Sequence, residues 1–167
     1  LLATVHWFAK SFTQRTGVLV TVDAPEEIEA LPPEVEINVY RIIQEALSNV
    51  VKHAKASVAN IRLRVRPRRL EVSIVDDGQG FDPKRVERGH AEELGMERGM
   101  GLLTMGERAH LLGGELRVRS QEGRGTTIEA SVPLRPPPAA ANGGAAPAAP
   151  GLTLPHPGAA PSCSPSS

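Results

Sequence analysis

The stretch EVEINVYRIIQEALSNVVKHAK, residues 34–55, decides the fold because it predicts one long helix with a single buried face. Pro32 and Pro33 suit the start of such a helix, since the N–H groups of a first turn have no intrahelical partner. The apolar residues recur every three or four positions, as in an amphipathic helix: Val35, Val39, Ile42, Ile43, Ala46, Leu47, Val50 and Val51.

A polar stripe follows the edge of this buried face. Residues four apart lie one above the other on a helix. A carboxylate, an amide and cations therefore project toward one place from Arg41, Glu45, Asn49 and His53, with Lys52 beside them. Taken alone, this pattern favours an ordinary solvated helix edge over a binding site.

Shorter patterns on both sides predict the remaining elements. Residues 1–15 have helical spacing and end at Gly17, and residues 101–112 have it again before Gly113. Runs of β-branched or alternating apolar residues predict strands at 17–23, 61–65, 70–74, 115–120 and 126–133. We therefore expect an α+β chain, a two-layer α/β sandwich in which helices cover one face of a mixed sheet.

Two segments fall outside these elements. Residues 82–100, approximately, form a long, charged connection with several glycines, and such connections are usually lids or disordered. Residues 135–167 are mostly Pro, Ala, Gly and Ser with almost no charge, so they cannot bury enough apolar surface to offset their ordering entropy. We expect one domain at residues 1–134, with a lid at about 82–100, and a disordered tail at 135–167.

Composition argues against several classes of function. Lys plus Arg and Asp plus Glu number 19 each, so the charge balance favours neither nucleic acid nor a membrane surface. The arginines between residues 62 and 69 lack the stacking aromatics of single-strand sites, so we expect a solvated sheet face with pairing to Glu71. No apolar run approaches the ~20 residues that span a bilayer, so we expect no membrane contact by this segment. The single cysteine, Cys163, fits a reducing compartment.

Three glycine-containing motifs accompany the helix edge. Residues 76–80, Asp-Asp-Gly-Gln-Gly, follow a predicted strand. Residues 99–101, Gly-Met-Gly, open a predicted helix, and residues 123–126, Gly-Arg-Gly-Thr, precede the last strand. Each is weak evidence alone, because Asp-Gly is a common hairpin turn and Gly-x-Gly occurs in many loops.

Together, in this order, the motifs resemble the ATP-binding domain shared by sensor histidine kinases, gyrase, the heat-shock chaperone of ninety kilodaltons and mismatch-repair ATPases. Residues 40–54 are similar to the N box of the nitrate-sensor-like subclass of histidine kinases, and residues 99–109 to its second glycine box. The resemblance covers about residues 1–134. It implies the two-layer Bergerat-type fold with a mobile lid, and it implies ATP and Mg²⁺ as cofactors.

The resemblance also implies roles at the adenine end of a nucleotide. Asp76 matches the carboxylate that accepts a hydrogen bond from the adenine amino group, and Thr126 matches a residue that helps through water. Gly78 and Gly80 match glycines whose backbone approaches the base closely, which a Cβ would block.

At the phosphate end, the resemblance assigns Mg²⁺ to Asn49, whose amide oxygen is a suitable hard ligand. Glu45 matches a general base in the ATPase relatives, and here it either plays that part or orients the Mg²⁺ shell or the attacking group. Lys52 and His53 match residues near the phosphates. The remaining residues are expected to cradle phosphate at a helix N-terminus: Gly99, Gly101 and the N–H groups of Leu102 and Leu103.

The implied function is transfer of the γ-phosphate of ATP to a histidine on a dimerisation domain absent from this chain, within a homodimeric two-component sensor kinase. The implied partners are that domain and a response regulator. None of the five histidines has the His-Asp or His-Glu context of the acceptor: His6, His53, His90, His110 and His156. The implied location is cytoplasmic, free or as the cytoplasmic part of a membrane-anchored sensor.

Two departures from the family pattern predict modest affinity: Met100 replaces a common histidine, and residues 91–93 add acidic charge to the lid. Three other functions remain open. They are an anti-sigma-factor-type serine kinase, an ATP hydrolase of the gyrase or mismatch-repair class, and a non-catalytic nucleotide-binding module.

Overall fold

The computed structural model describes residues 1–82 and 96–134, without the side chains of 96–98. Most of the predicted lid and the whole predicted tail therefore lie outside the described residues. The described elements, in order, are α1 (Leu2–Thr16), β1 (Leu19–Asp23), α2 (Pro33–Asn49) with a π-helical turn (Val50–Ala54), β2 (Val58–Arg66), β3 (Arg69–Asp76), α3 (Met96–Leu111), β4 (Glu115–Ser120) and β5 (Thr126–Pro133).

The five strands form one mixed sheet in the order β1-β2-β3-β5-β4. β1 is parallel to β2, whereas the other neighbouring pairs are antiparallel. The register places Asp76 opposite Thr126, and Thr126 opposite Ser120. Consequently the ends of β3 and β4 and the start of β5 lie side by side at one edge of the core.

Helices cover one face of this sheet, as the sequence predicts. Every second residue of the central strands points into the helical layer, including Ile61, Ile74 and Ile128, each at most 4% exposed. From α2, the buried residues are Val35, Val39, Ile42, Ile43, Ala46 and Leu47. The core is therefore mainly aliphatic. It forms where the apolar face of the helices packs on the apolar face of the sheet.

The other face of the sheet carries the arginines. Arg66 pairs with Glu71 across the β2–β3 hairpin at 3.2 Å, which confirms the expected cross-strand pairing. Asp23 accepts hydrogen bonds from Arg64 and Arg62, and these bonds lower the pKa of its carboxyl group. Water and salt screen exposed pairs of this kind, so this face is a solvated surface rather than a source of stability.

The central helix differs from the prediction at its end. Regular α-helix stops at Asn49 and a π-helical turn follows, until Lys55 adopts the left-handed conformation with φ +52°. The wider turn rotates the later side chains, so Val51 is 47% exposed although its spacing predicts burial. Val65, predicted on the inner face of β2, is likewise 41% exposed, because it lies near the β2–β3 turn, beyond the last residue of β2 that pairs with β1.

Helix α3 begins at Met96 rather than at Gly101, so the Gly-Met-Gly motif lies inside it. Glycine disfavours helix by about 1 kcal/mol relative to alanine, which is why the sequence indicated a helix start there. Burial of Met105 and Ala109 against the rest of the core overrides that local preference. Across residues 1–82 and 96–134, no helix combines the length and apolarity required to cross a lipid bilayer.

Candidate functional site

A small cavity lies between the π-helical end of α2, the ends of β3 and β5, and α3. Its volume is about 20 Å³. It is lined by Ala46, Asn49, Val50, Ala54, Asp76, Gly80, Phe81, Leu102, Thr126 and Ile128. Five residues predicted from separate motifs therefore meet here: Asn49, Asp76, Gly80, Leu102 and Thr126.

Asp76 is the polar residue of β3 that faces the helical layer. It continues the inward alternation of Val72 and Ile74, and it is only 8% exposed. Its Oδ1 accepts a hydrogen bond from the N–H of Gly78 at 2.9 Å. A carboxylate held in such a place is suited to accept a hydrogen bond from a ligand N–H group.

Asp77, the next residue, has a different task. Its Oδ1 accepts hydrogen bonds from the backbone N–H groups of Ser57 at 2.8 Å and Val58 at 2.9 Å. The bond from Val58, together with that from Ser57, lowers the pKa of the Asp77 carboxyl group. Asp77 therefore fastens the start of β2 to the end of β3, while Asp76 points into the cavity.

The glycines around Asp76 allow backbone segments to pack on one another. A Cβ on Gly78 would lie 2.5 Å from the Ala54 carbonyl oxygen. At Gly80, with φ +60°, a Cβ would collide with the Gln121 carbonyl. At Gly125 it would collide with the carbonyl of Asp76. The predicted approach of Gly78 and Gly80 to a nucleotide base stays a prediction, because the close approach seen at both is to protein backbone.

The helix edge meets α3 at a third glycine. A Cβ on Gly101 would collide with Glu45 Oε1 and would lie 3.4 Å from Asn49 Nδ2. The lack of a side chain therefore lets α3 close against the polar edge of α2. Asn49 Nδ2 is buried there without a hydrogen-bond partner, and a buried unsatisfied polar group usually marks a place where a ligand or water binds.

Seven predicted residues are not among those that line the cavity: Glu45, Lys52, His53, Gly78, Gly99, Gly101 and Leu103. Lys52 is exposed, and Gly99 is buried within α3. His53 lies in the π-helical turn, and its carbonyl oxygen accepts a hydrogen bond from Gln79 Nε2 at 2.7 Å.

The expected phosphate cradle at a helix N-terminus differs from what is found. Since α3 starts at Met96, the N–H groups of Leu102 and Leu103 lie beyond its first four residues. Within a helix such groups bond to the carbonyl four residues earlier. Leu102 meets the cavity with its side chain instead.

Sequence reasoning missed Ser120 at this site. The Ser120 hydroxyl accepts a hydrogen bond from the Phe81 N–H at 2.9 Å, and it lies 3.0 Å from Thr126 Oγ1. It therefore connects the Asp76–Gly80 turn to the β4–β5 loop. Ser120 is the last residue of β4 and lies opposite Thr126, which was predicted. This position could identify Ser120 only once the pairing of β4 with β5 was known.

A larger concave surface of about 570 Å³ lies on the open sheet face. Its arginines face carboxylates, for example Arg119 with Glu129 at 3.1 Å and Arg117 with Glu115 at 3.1 Å. It contains neither a glycine turn nor the helix edge. The small cavity is therefore the better candidate.

Residues 34–136 match the family described as histidine kinase-, DNA gyrase B-, and HSP90-like ATPase. This chain belongs to that family. Membership in an ATPase family implies that the chain binds ATP.

Curated relatives in this family are sensor kinases. The chain is 35% identical over 134 residues to the signal transduction histidine-protein kinase/phosphatase DegS of Brevibacillus brevis, covering 80% of this chain and 32% of that protein. It is 39% identical over 107 residues to the sensor histidine kinase LiaS of Bacillus subtilis, covering 64% of this chain and 27% of that protein. The chain thus spans about a third of the length of these relatives.

A solved structure agrees on the fold. The histidine kinase domain of the Erythrobacter litoralis EL346 blue-light activated histidine kinase superposes with a TM-score of 0.61 at 23% identity. The match covers 79% of this chain and 60% of that one. It confirms the predicted two-layer architecture.

Proposed function

We propose that this chain binds ATP with Mg²⁺ in the cavity between α2, β3, α3 and β5 and donates the γ-phosphate to a histidine on a separate dimerisation domain. The observation that carries the proposal is the convergence of Asp76, Thr126 and Asn49 on one cavity. The Asp76 carboxylate can accept a hydrogen bond from a base, the unpaired Asn49 Nδ2 can donate one to a phosphate, and only Asn49 Oδ1 can bind Mg²⁺.

The adenine end is supported by Asp76. Its carboxylate is buried, and its Oδ1 is oriented by the Gly78 N–H. A charge-assisted hydrogen bond from the adenine amino group to this carboxylate contributes roughly 1.5–3 kcal/mol. Thr126, opposite Asp76 on β5, lies on the same side of the sheet and lines the same cavity.

The phosphate end is supported by Asn49 and Glu45. Within residues 1–82 and 96–134, no group of three or more His, Cys, Asp or Glu side chains is arranged to hold a metal. Mg²⁺ usually takes one or two protein ligands and completes its octahedron with water and phosphate oxygens, so the Asn49 amide with the nearby Glu45 carboxylate is a fitting donor set. When bound, Mg²⁺ supplies charge neutralisation for phosphoryl transfer.

Binding requires the site to open. A cavity of about 20 Å³ is far below the roughly 300–1,000 Å³ of small-molecule sites. The parts that fill it are the Leu102 side chain and the start of α3, which closes on α2 through Gly101. We propose that nucleotide displaces this first part of α3, which frees N–H groups near Gly101 to meet phosphate.

The chain's residues then position the reactants. Asp76 fixes the base, Asn49 holds the phosphate end, and Glu45 lies beside it as the candidate to orient or deprotonate the attacking group. The acceptor histidine belongs to a second domain, which would form the homodimer and pass the phosphate to a response regulator. We propose a cytoplasmic location for this chemistry, because its nucleotide substrate is found there.

Transfer of labelled γ-phosphate to a separately supplied dimerisation domain from a relative tests this function. We expect label on a histidine, recognised because phosphohistidine is lost in acid and stable in base, and about ten- to hundredfold less label after Asp76→Ala at ATP concentrations below saturation. Label on serine would indicate the serine kinase instead. Release of inorganic phosphate without labelled protein would indicate the hydrolase, and ATP binding with neither product would indicate a binding module.

A further inference from the structure

Ser120 is bonded on three sides at the end of β4. Its Oγ accepts from the Phe81 N–H at 2.9 Å, donates to the Gly125 carbonyl oxygen at 3.0 Å, and lies 3.0 Å from Thr126 Oγ1. Thr126 lines the cavity, whereas Ser120 does not. Ser120 therefore touches the site only through two residues that do line it, Thr126 and Phe81.

The hydrogens of these groups can be counted. A serine hydroxyl has one hydrogen and two lone pairs. A backbone N–H can only donate, so Phe81 occupies one lone pair of Ser120, and a carbonyl can only accept, so Gly125 takes the Ser120 hydrogen. The remaining contact then requires Thr126 to donate its single hydroxyl hydrogen to the second lone pair of Ser120.

The alternative distribution leaves a carbonyl poorly satisfied. If Ser120 donated to Thr126, the buried Gly125 carbonyl would depend on the Gln121 N–H at 3.5 Å, at the outer limit for a hydrogen bond. A buried carbonyl without a good hydrogen-bond partner destabilises the folded chain. The first distribution is therefore the one that the geometry selects.

We infer that Ser120 is a positioning residue that sets which nucleobase the site accepts. With its hydrogen held by Ser120, Thr126 presents only lone pairs to the cavity, beside the Asp76 carboxylate. Both groups can then only accept hydrogen bonds, so the edge of the ligand that faces them must carry hydrogen-bond donors. A 6-aminopurine offers N–H hydrogens there, whereas a 6-oxopurine offers a carbonyl oxygen facing other oxygens. This inference rests on the proposed ATP site.

The test compares the affinities of ATP and ITP, each with Mg²⁺, by calorimetry. Wild-type chain is expected to prefer ATP. Ser120→Ala frees the Thr126 hydroxyl to rotate and donate to the oxo group, so the ATP-to-ITP preference should fall about three- to tenfold. Ser120→Thr keeps the hydroxyl group, so this variant should retain the wild-type preference for ATP over ITP. In a Thr126→Val background, Ser120→Ala should change the preference no further.

A merely structural role for Ser120 gives a different pattern. Loss of its bonds to Phe81 and Gly125 would then weaken ATP and ITP equally, and the unchanged ratio in a folded variant would overturn the inference. Ser120→Cys covers the case in which alanine unfolds the chain, because sulfur is a weak acceptor and should give an intermediate ratio. Wild-type chain that binds neither nucleotide would overturn the proposed function itself, and the inference with it.

Discussion

Asp76 and Thr126 face each other across β3 and β5, in register and on the inner side of the sheet. Sheet alternation places them there. The same period of two that buries Leu70, Val72 and Ile74 brings Asp76 inward at the strand's last position. A polar residue at the end of an apolar stripe reaches the core without interrupting it. The site is thus an extension of the core pattern rather than an insertion into it.

Asp76 is expected to control base affinity without controlling stability. In Asp76→Ala, the loss of a charge-assisted hydrogen bond should lower ATP affinity about ten- to hundredfold, as measured by calorimetry. Asp77→Ala is the matched control, because Asp77 bonds to Ser57 and Val58 rather than facing the cavity. Asp77→Ala should lower the melting temperature while leaving the ATP affinity nearly unchanged. Unchanged ATP affinity in a folded Asp76→Ala would refute the assignment.

Asn49 is expected to affect the metal-dependent part of binding. Asn49→Ala should leave ATP affinity in EDTA nearly intact while removing the gain in affinity that Mg²⁺ gives, because the amide is the proposed metal ligand. Asn38→Ala is the control, since Asn38 lies on the same helix and accepts from Arg108 at 3.3 Å, away from the cavity. If Asn49→Ala instead unfolds the chain, Asn49 is structural.

Much of this arrangement was predictable, because it depends on local periodicity. The bounds of β4 and β5, the aliphatic inner faces and the helix cap at Gly17 follow from spacing and turn residues. The start of α3 was not predictable, because Gly101 lowers local helix propensity but permits close packing against Glu45. Only the packed structure shows which effect prevails.

The role of Asp77 lay beyond the sequence. Alternation with Leu70, Val72 and Ile74 already places Asp76 on the inner face, but nothing local shows which groups Asp77 meets. Strand phase turns one toward the helices and leaves the other beside the N–H groups of Ser57 and Val58, which lie far away in the chain. Ser120 was missed for the same reason, since its partners come from two other segments, Phe81 and the neighbouring Gly125 and Thr126.

Asp77 should contribute a pH-dependent part of the folding free energy. Its pKa is lowered from 3.8 by hydrogen bonds from the Val58 and Ser57 N–H groups. A folded-state pKa below the unfolded one stabilises above about pH 3.8, and this stabilisation is lost as pH falls through the lowered value. Asp77→Asn should therefore be less stable than wild type at neutral pH, and urea unfolding at successively lower pH should show the difference narrowing.

Asp23 provides a contrast for that measurement, because its pKa is also lowered, by bonds from Arg64 and Arg62. Salt screens exposed ion pairs more than it weakens hydrogen bonds to backbone N–H groups. The loss of folding free energy caused by Asp23→Asn should shrink at high salt, while the loss caused by Asp77→Asn should persist. If the difference in free energy of unfolding between wild type and Asp77→Asn does not vary with pH, the charge of Asp77 does not contribute to stability.

Gly101 and Gly106 lie on the same helix, α3. Substituting each with alanine distinguishes an effect on helix stability from an effect on nucleotide binding. At Gly106 a Cβ meets nothing within 4 Å, so Gly106→Ala should stabilise α3 by up to about 1 kcal/mol and leave ATP affinity unchanged. At Gly101 the same substitution gives the same gain in helix propensity but pushes the flexible Glu45 carboxylate aside. We expect Gly101→Ala to fold and to bind ATP at least tenfold more weakly, because the Cβ occupies the polar end of the site and resists unwinding of the helix. Equal ATP affinities of the two alanine variants would show that the start of α3 neither moves nor meets phosphate.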